Sequence, residues 1–190
     1  MLLTVFAQPL FAQSTSQVGH TERPLQFELV GGSTISSSSV DCCHDGPAYY
    51  GAIGARRQLA NGGGIRVDVV GLSQTSRIVF GPDNEYTTSA RIVAVTASFD
   101  AFFRLVGDFG ATVTAGAGFA PYVHGSQTSP SSYTYPERYS LTESSALLTA
   151  AVGIRYRWFF VEQQGITFMQ AQRALAHGRQ FFPVTLGVRF

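Results

Sequence analysis

Residues 147–158 read Leu147-Leu148-Thr149-Ala150-Ala151-Val152-Gly153-Ile154-Arg155-Tyr156-Arg157-Trp158. Taken alternately, Leu148, Ala150, Val152, Ile154, Tyr156 and Trp158 form one set, and Leu147, Thr149, Ala151, Gly153, Arg155 and Arg157 the other. A helix cannot separate these sets, whereas a strand does so because successive side chains point to opposite faces. The same period of two recurs elsewhere. Ala111, Val113, Ala115, Ala117 and Phe119 alternate with Gly110, Thr112, Thr114, Gly116 and Gly118. Ile65, Val67 and Val69 alternate with Arg66, Asp68 and Val70, and Phe182, Val184, Leu186, Val188 and Phe190 with Phe181, Pro183, Thr185, Gly187 and Arg189. Period two dominates beyond residue 23 and predicts an all-β chain.

Reading each run in turn predicts eight strands, near 24–32, 48–58, 64–74, 88–100, 109–122, 144–158, 165–173 and 181–190. Long polar links such as GSTISSSSVDCCHDGP and HGSQTSPSSYTYPERYSLT alternate with short ones such as LANGG and VEQQG. Short links of this kind suit tight antiparallel turns. Eight antiparallel strands close best into an up-and-down barrel, since closure removes both unpaired edges.

Composition decides which face meets which solvent. The chain has 190 residues, of which 13% are charged, all its positive side chains being Arg. Soluble domains carry about 25% charged residues. The less apolar face of each strand is built from Gly, Ala, Thr and isolated charges, with little of what a solvated outer surface requires. Such a face suits a narrow lumen, with Arg66, Asp68, Arg155, Arg157, Arg189, Glu28 and Asp100 as its expected charged members. Aromatic residues cluster at strand ends: Tyr49 and Tyr50, Phe102 and Phe103, Trp158 to Phe160, Phe181 and Phe182, and Phe190. Rings of this kind collect at membrane boundaries. The expected fold is therefore an eight-stranded antiparallel transmembrane β-barrel, with apolar residues toward lipid. A soluble, lipocalin-like binding barrel is the opposite arrangement of the same strands.

At the start, Met1 to Ala12 carries no charge and resembles the apolar and cleavage regions of a signal peptide. The expected organisation is a signal peptide over 1–12, a linker over 13–23 and a barrel over 24–190. A net charge of +1 argues against nucleic acid, which demands a basic stripe.

The alternating run FFPVTLGVRF, ending on Phe190, looks like the C-terminal assembly signal of bacterial outer-membrane barrels. Phe182, Val184, Leu186, Val188 and Phe190 carry that likeness. With the export-like start and the strand count, the chain resembles the small eight-stranded OmpA/OmpX-like outer-membrane barrels over residues 24–190. The resemblance implies both termini in the periplasm, short turns there and long loops outside the cell. It also implies contact with outer-membrane lipids, and with periplasmic chaperones and the barrel-insertion machinery during assembly. No cofactor and no peptidoglycan-binding domain are expected.

Two stretches carry reactive groups. Asp41-Cys42-Cys43-His44-Asp45 holds metal-ligating residue types, but adjacent residues cannot all converge on one ion, and loop stapling through Cys42 and Cys43 is the plainer reading. His124 and Ser126, with Glu137 further on, have the composition of a nucleophilic hydrolase site. That trio also looks like the His-x-Ser and following Glu of outer-membrane lipid A deacylases, without the flanking residues of that motif. Arg56-Arg57 and Arg104, beside short turns, read as interfacial charges able to meet lipid phosphates. The expected function is a non-enzymatic outer-membrane barrel with a structural or loop-mediated surface role. A narrow passage for small or apolar solutes and a lipid A deacylase-like hydrolase are the alternatives.

Overall fold

The computed structural model describes residues 25–34, 39–40, 43–59, 63–79, 85–128, 139–171, 174–175 and 180–190. Eight strands form the wall: β1 (Leu25–Ser33), β2 (Tyr49–Gln58), β3 (Gly64–Val79), β4 (Glu85–Val106), β5 (Phe109–Thr128), β6 (Tyr139–Tyr156), β7 (Phe159–Phe168) and β8 (Val184–Arg189). Each pairs antiparallel with its chain neighbour, and β8 returns to β1 with Glu28 opposite Arg189 and Ser33 opposite Val184. The barrel is closed. Phe27 and Phe190 exchange both backbone hydrogen bonds at the seam, at 2.8 and 3.0 Å.

Side-chain exposure confirms the inverted barrel. Val152 is 59% exposed, as are Leu29, Ile53, Val67, Val95, Val113, Ile154 and Leu186 to similar degrees, whereas Arg66, Asp68, Thr112 and Thr185 are buried inside. Small residues make this packing possible. A Cβ on Gly54 would strike Asp68, and one on Gly64 would strike Arg56 and Asp100.

Several boundaries differ from expectation. The seventh strand runs over Phe159–Phe168 rather than 165–173, and the turn before it is Arg157-Trp158. VEQQG is therefore strand. Gly107-Asp108 makes an equally tight turn between β4 and β5. Gly107 and Arg157 both take left-handed φ, +56° and +54°, which matches the twist of flanking strands in short hairpins. The expected aromatic pairs also divide: Tyr49, Phe103, Phe159 and Phe182 face outward, while Tyr50, Phe160 and Phe181 are buried in the lumen.

The strands are unequal. β3 to β6 have 16, 22, 20 and 18 residues, while β1, β2, β7 and β8 have 9, 10, 10 and 6. A bilayer needs about 9–11 residues per tilted strand. One side of the barrel thus rises well above the other at the end away from the tight turns. The short segment Cys43–Asp45 pairs with the upper part of β3, opposite Ser76 to Ile78, and Ser39–Val40 pairs with it in turn. This added pairing covers the free edge of the raised wall.

Candidate functional site

Two surfaces carry the chemistry of this chain: the lumen and the raised wall. In the lumen, inward positions of β1, β2, β3, β4, β7 and β8 bring together Glu28, Arg56, Arg66, Asp68, Asp100, Glu162 and Arg189, all buried. Buried charges are tolerated only when paired, and these are. Arg56 lies in a forked pair with Asp100, with Nε donating to Oδ1 at 2.8 Å and Nη2 to Oδ2 at 2.6 Å. Arg66 Nε sits 2.8 Å from Asp68 Oδ2 and 3.1 Å from Glu28 Oε2, and its Nη1 lies 3.4 Å from Glu162 Oε2. Arg189 Nε donates to Glu28 Oε1 at 2.6 Å. Glu28 thus joins Arg66 of β3 to Arg189 of β8. The Phe160 ring lies 5.7 Å from both guanidinium carbons, packed between two cations.

Arg56 and Glu162 were not among the expected lumenal charges. Arg56 is 1% exposed, so the reading of Arg56 as an interfacial charge is overturned; Arg57 is the exposed one. Arg157 is corrected in the other direction. It stands in the tight turn and meets Asp108 at 3.2 Å in a solvent-exposed pair.

Above the ionic layer lies a cavity of about 30 Å³, lined among others by Tyr50, Thr96, Thr114 and Gln164. That is room for about two water molecules. Leu72, Ile92, Leu147, Ile166 and Phe168 form the apolar part of the cavity's lining and fill the bore there. Phe181 meets Phe168 edge-on at 5.8 Å, and Ala171, Ala174 and Leu175 pack over the same cluster. Their backbone is tied down by Ser145 Oγ, which accepts from Gln170 N at 3.0 Å, and by Glu143 Oε2, which accepts from Ala174 N at 3.0 Å. Gly125 lets this segment approach, since a Cβ there would overlap the Ala174 backbone.

The tightness of the ionic layer can be tested at Gly187, where a Cβ would collide with the Phe160 ring. The flanking Arg66 and Arg189 leave that ring nowhere to go. Gly187→Ala is expected to cost about 1–3 kcal/mol in urea unfolding from detergent micelles, as overpacking does. Gly51→Ala, with nothing within 4 Å of its Cβ, should change stability little.

Outside, polarity switches along one cross-strand row. Ser73, Arg91, His124 and Thr142 stand opposite one another on β3 to β6. Below that row the outward residues are apolar, such as Val69, Val93 and Leu148. Above it come Thr75, Ser126, Thr128 and Ser140. A register shift between Ala120 and Val123 puts Pro121 and Tyr122 side by side on the outside at this boundary.

The candidate hydrolase residues fall in this upper wall. His124 Nδ1 lies 3.0 Å from Thr142 Oγ1, and Ser126 Oγ lies 2.7 Å from Ser89 Oγ. The two side chains have different partners, and Glu137 lies outside the described residues. Cys42 also lies outside them; Cys43 and His44 belong to the short segment paired with β3. Among the described residues, no three His, Cys, Asp or Glu side chains gather in a metal-binding group. Residues 1–24, which include the expected signal peptide and linker, are outside the described residues. Of the expected assembly signal, Phe182, Val184, Leu186 and Phe190 face outward and Val188 is half-buried.

No family model matches the chain, and no curated protein matches it. Among solved structures it is similar to Neisserial surface protein A, at 12% identity and a TM-score of 0.45, over 87% of this chain and 94% of that one. It is also similar to Ail, the attachment invasion locus protein of Yersinia pestis, at 14% identity and a TM-score of 0.41, over 87% and 96%. A third is the N-terminal β-barrel domain of Pseudomonas aeruginosa OprF, at 14% identity and a TM-score of 0.40, over 87% and 97%.

Proposed function

We propose that the chain is a bacterial outer-membrane barrel without enzymatic activity, whose closed lumen makes it a rigid support for the raised β3–β6 wall. The observation that carries this reading is the outer surface. From Val93 to Phe103 the outward residues of β4 are predominantly apolar. At about 3.3 Å per residue and a tilt near 45°, that stretch spans roughly 23 Å, close to the 25 Å lipid-facing band of such barrels. The Arg91 row marks its upper edge. A soluble binding barrel would place these apolar side chains inside.

The occluded bore supports a supporting rather than a conducting role. A narrow passage would require Arg66, Arg189 and the Phe168–Phe181 layer to withdraw together. The separate partners of His124 and Ser126 favour a surface role over hydrolysis. In this reading the tight turns and both termini lie in the periplasm and the wall stands outside the cell. The outward face ending at Phe190 is then what the insertion machinery reads.

Folded protein in detergent should migrate faster unboiled than boiled, and in a planar bilayer it should add no ion conductance above that of the bare membrane. A monomer that stays soluble in buffer without detergent would overturn the membrane reading; stepwise conductance would overturn the closed lumen.

A further inference from the structure

At the tight-turn end, past the ionic layer, strand ends and the exposed Arg157-Trp158 turn form a concave mouth. Arg155, Arg157, Trp158, Arg189, Gln26 and Gln58 line a recess of about 480 Å³ there. A second recess of about 440 Å³, lined by Phe102, Arg104, Asp108, Arg155, Arg157 and Trp158, adjoins it. Arg155, Arg157 and Trp158 belong to both.

The charges of this mouth do not balance. Deeper in the lumen Arg56 and Arg189 have carboxylate partners, but at the mouth Arg104, Arg155 and Arg157 have only Asp108 among the described residues, and Asp108 meets Arg157. Arg155 is half-buried, and its guanidinium carbon lies 3.6 Å from the centroid of the Phe102 ring. Stacking covers one face of the guanidinium and leaves its N–H edge for an acceptor. A fixed arginine fork in a recess with low-dielectric walls suits a phosphate group, which it can hold through two parallel hydrogen bonds.

We propose that this mouth binds a phosphate group, with Arg155 as the principal contact and Arg104 and Arg157 as flanking charges. The membrane reading supplies only the compartment, the periplasmic side; the site itself rests on the mouth. The phosphate can belong to a soluble ion or ester, or to a lipid headgroup at the inner boundary.

Trp158, the single tryptophan of the chain, lines both recesses and reports on occupancy. The protein is folded in maltoside micelles and titrated with inorganic phosphate at constant ionic strength. In parallel, it is placed in nanodiscs of phosphatidylcholine with or without phosphatidic acid. A saturable change in Trp158 emission with inorganic phosphate supports the proposal and assigns a soluble ligand. A change with phosphatidic acid alone supports it and assigns a headgroup. Arg155→Gln should weaken the response about tenfold or more, as loss of a charged hydrogen-bonding partner does. Arg104→Gln, at an exposed position, should weaken it to a smaller extent and carries the test if Arg155→Gln does not fold. No change in either arm with the wild-type chain, or an undiminished response in both variants, would overturn the proposal. Unboiled gel mobility of the same samples reports separately whether the barrel has folded in detergent.

Discussion

Replacing Arg66 with methionine is expected to lower the folding stability by about 3–5 kcal/mol, the usual result of removing one member of a buried ionic group. Asp68, Glu28 and Glu162 all lean on this one guanidinium, and its loss leaves three carboxylates in a bore that admits little water. Asp108→Asn breaks a pair whose side chains are 59–61% exposed and should cost no more than about 1 kcal/mol. Urea unfolding in detergent, followed by the gel mobility difference, compares the two directly. The double variant Arg66→Met, Asp68→Asn should recover part of the loss, because neighbours in one network are not additive. Equal small effects at Arg66 and Asp108 would mean that the lumen is wetter than its burial indicates.

The second large effect belongs to the outer face. Val152→Arg sets a cation in the middle of the apolar band, at a position 59% exposed, and should cost about 2–4 kcal/mol in a bilayer. Ser140 lies on the same strand and the same outward face, above the Arg91–His124 row. Arg there should cost less than about 1 kcal/mol, since the penalty falls away toward the interface. Refolding both variants into phosphatidylcholine vesicles and comparing their urea midpoints measures the difference. A cost that does not depend on height along β6 would place the apolar band against something other than lipid.

The two faces of the barrel were legible in residues 147–158 and 109–119 because each residue there is either bulky and apolar or small and polar. The ionic layer was legible only where its members interrupt such a run, as Arg66 and Asp68 do between Ile65, Val67 and Val69. Arg56 escaped because β2 carries Gly and Ala on both faces, so no apolar alternation marks which way residue 56 points. Its neighbour Arg57 made the pair look like one interfacial patch. Glu162 escaped because VEQQG has the composition of a turn, while the true turn, Arg157-Trp158, continues the alternation of β6 without a break. Inward Glu162 and Gln164 beside outward Val161 was the available signal. The upper wall was hidden for a physical reason: above the apolar band both faces of a strand meet water, and Thr87-Thr88-Ser89 or Ser126-Gln127-Thr128 shows no period at all. The mouth arginines come from three strand ends, and only closure brings Arg104, Arg155 and Arg189 to one opening.

The bond between Arg189 and Glu28 joins residues 161 positions apart, and this span bears on the order of events during assembly. Neighbouring hairpins can pair as soon as both arms exist, but Glu28 has its second cation only when the final strand arrives. Until then the growing sheet has two open edges and an incompletely neutralised carboxylate at one of them. Long-range closure is the slow step in such topologies. The seam therefore acts as a completeness check: a chain that stalls or is shortened before β8 keeps two unpaired edges and a carboxylate short of one cation, and the finished ring has neither.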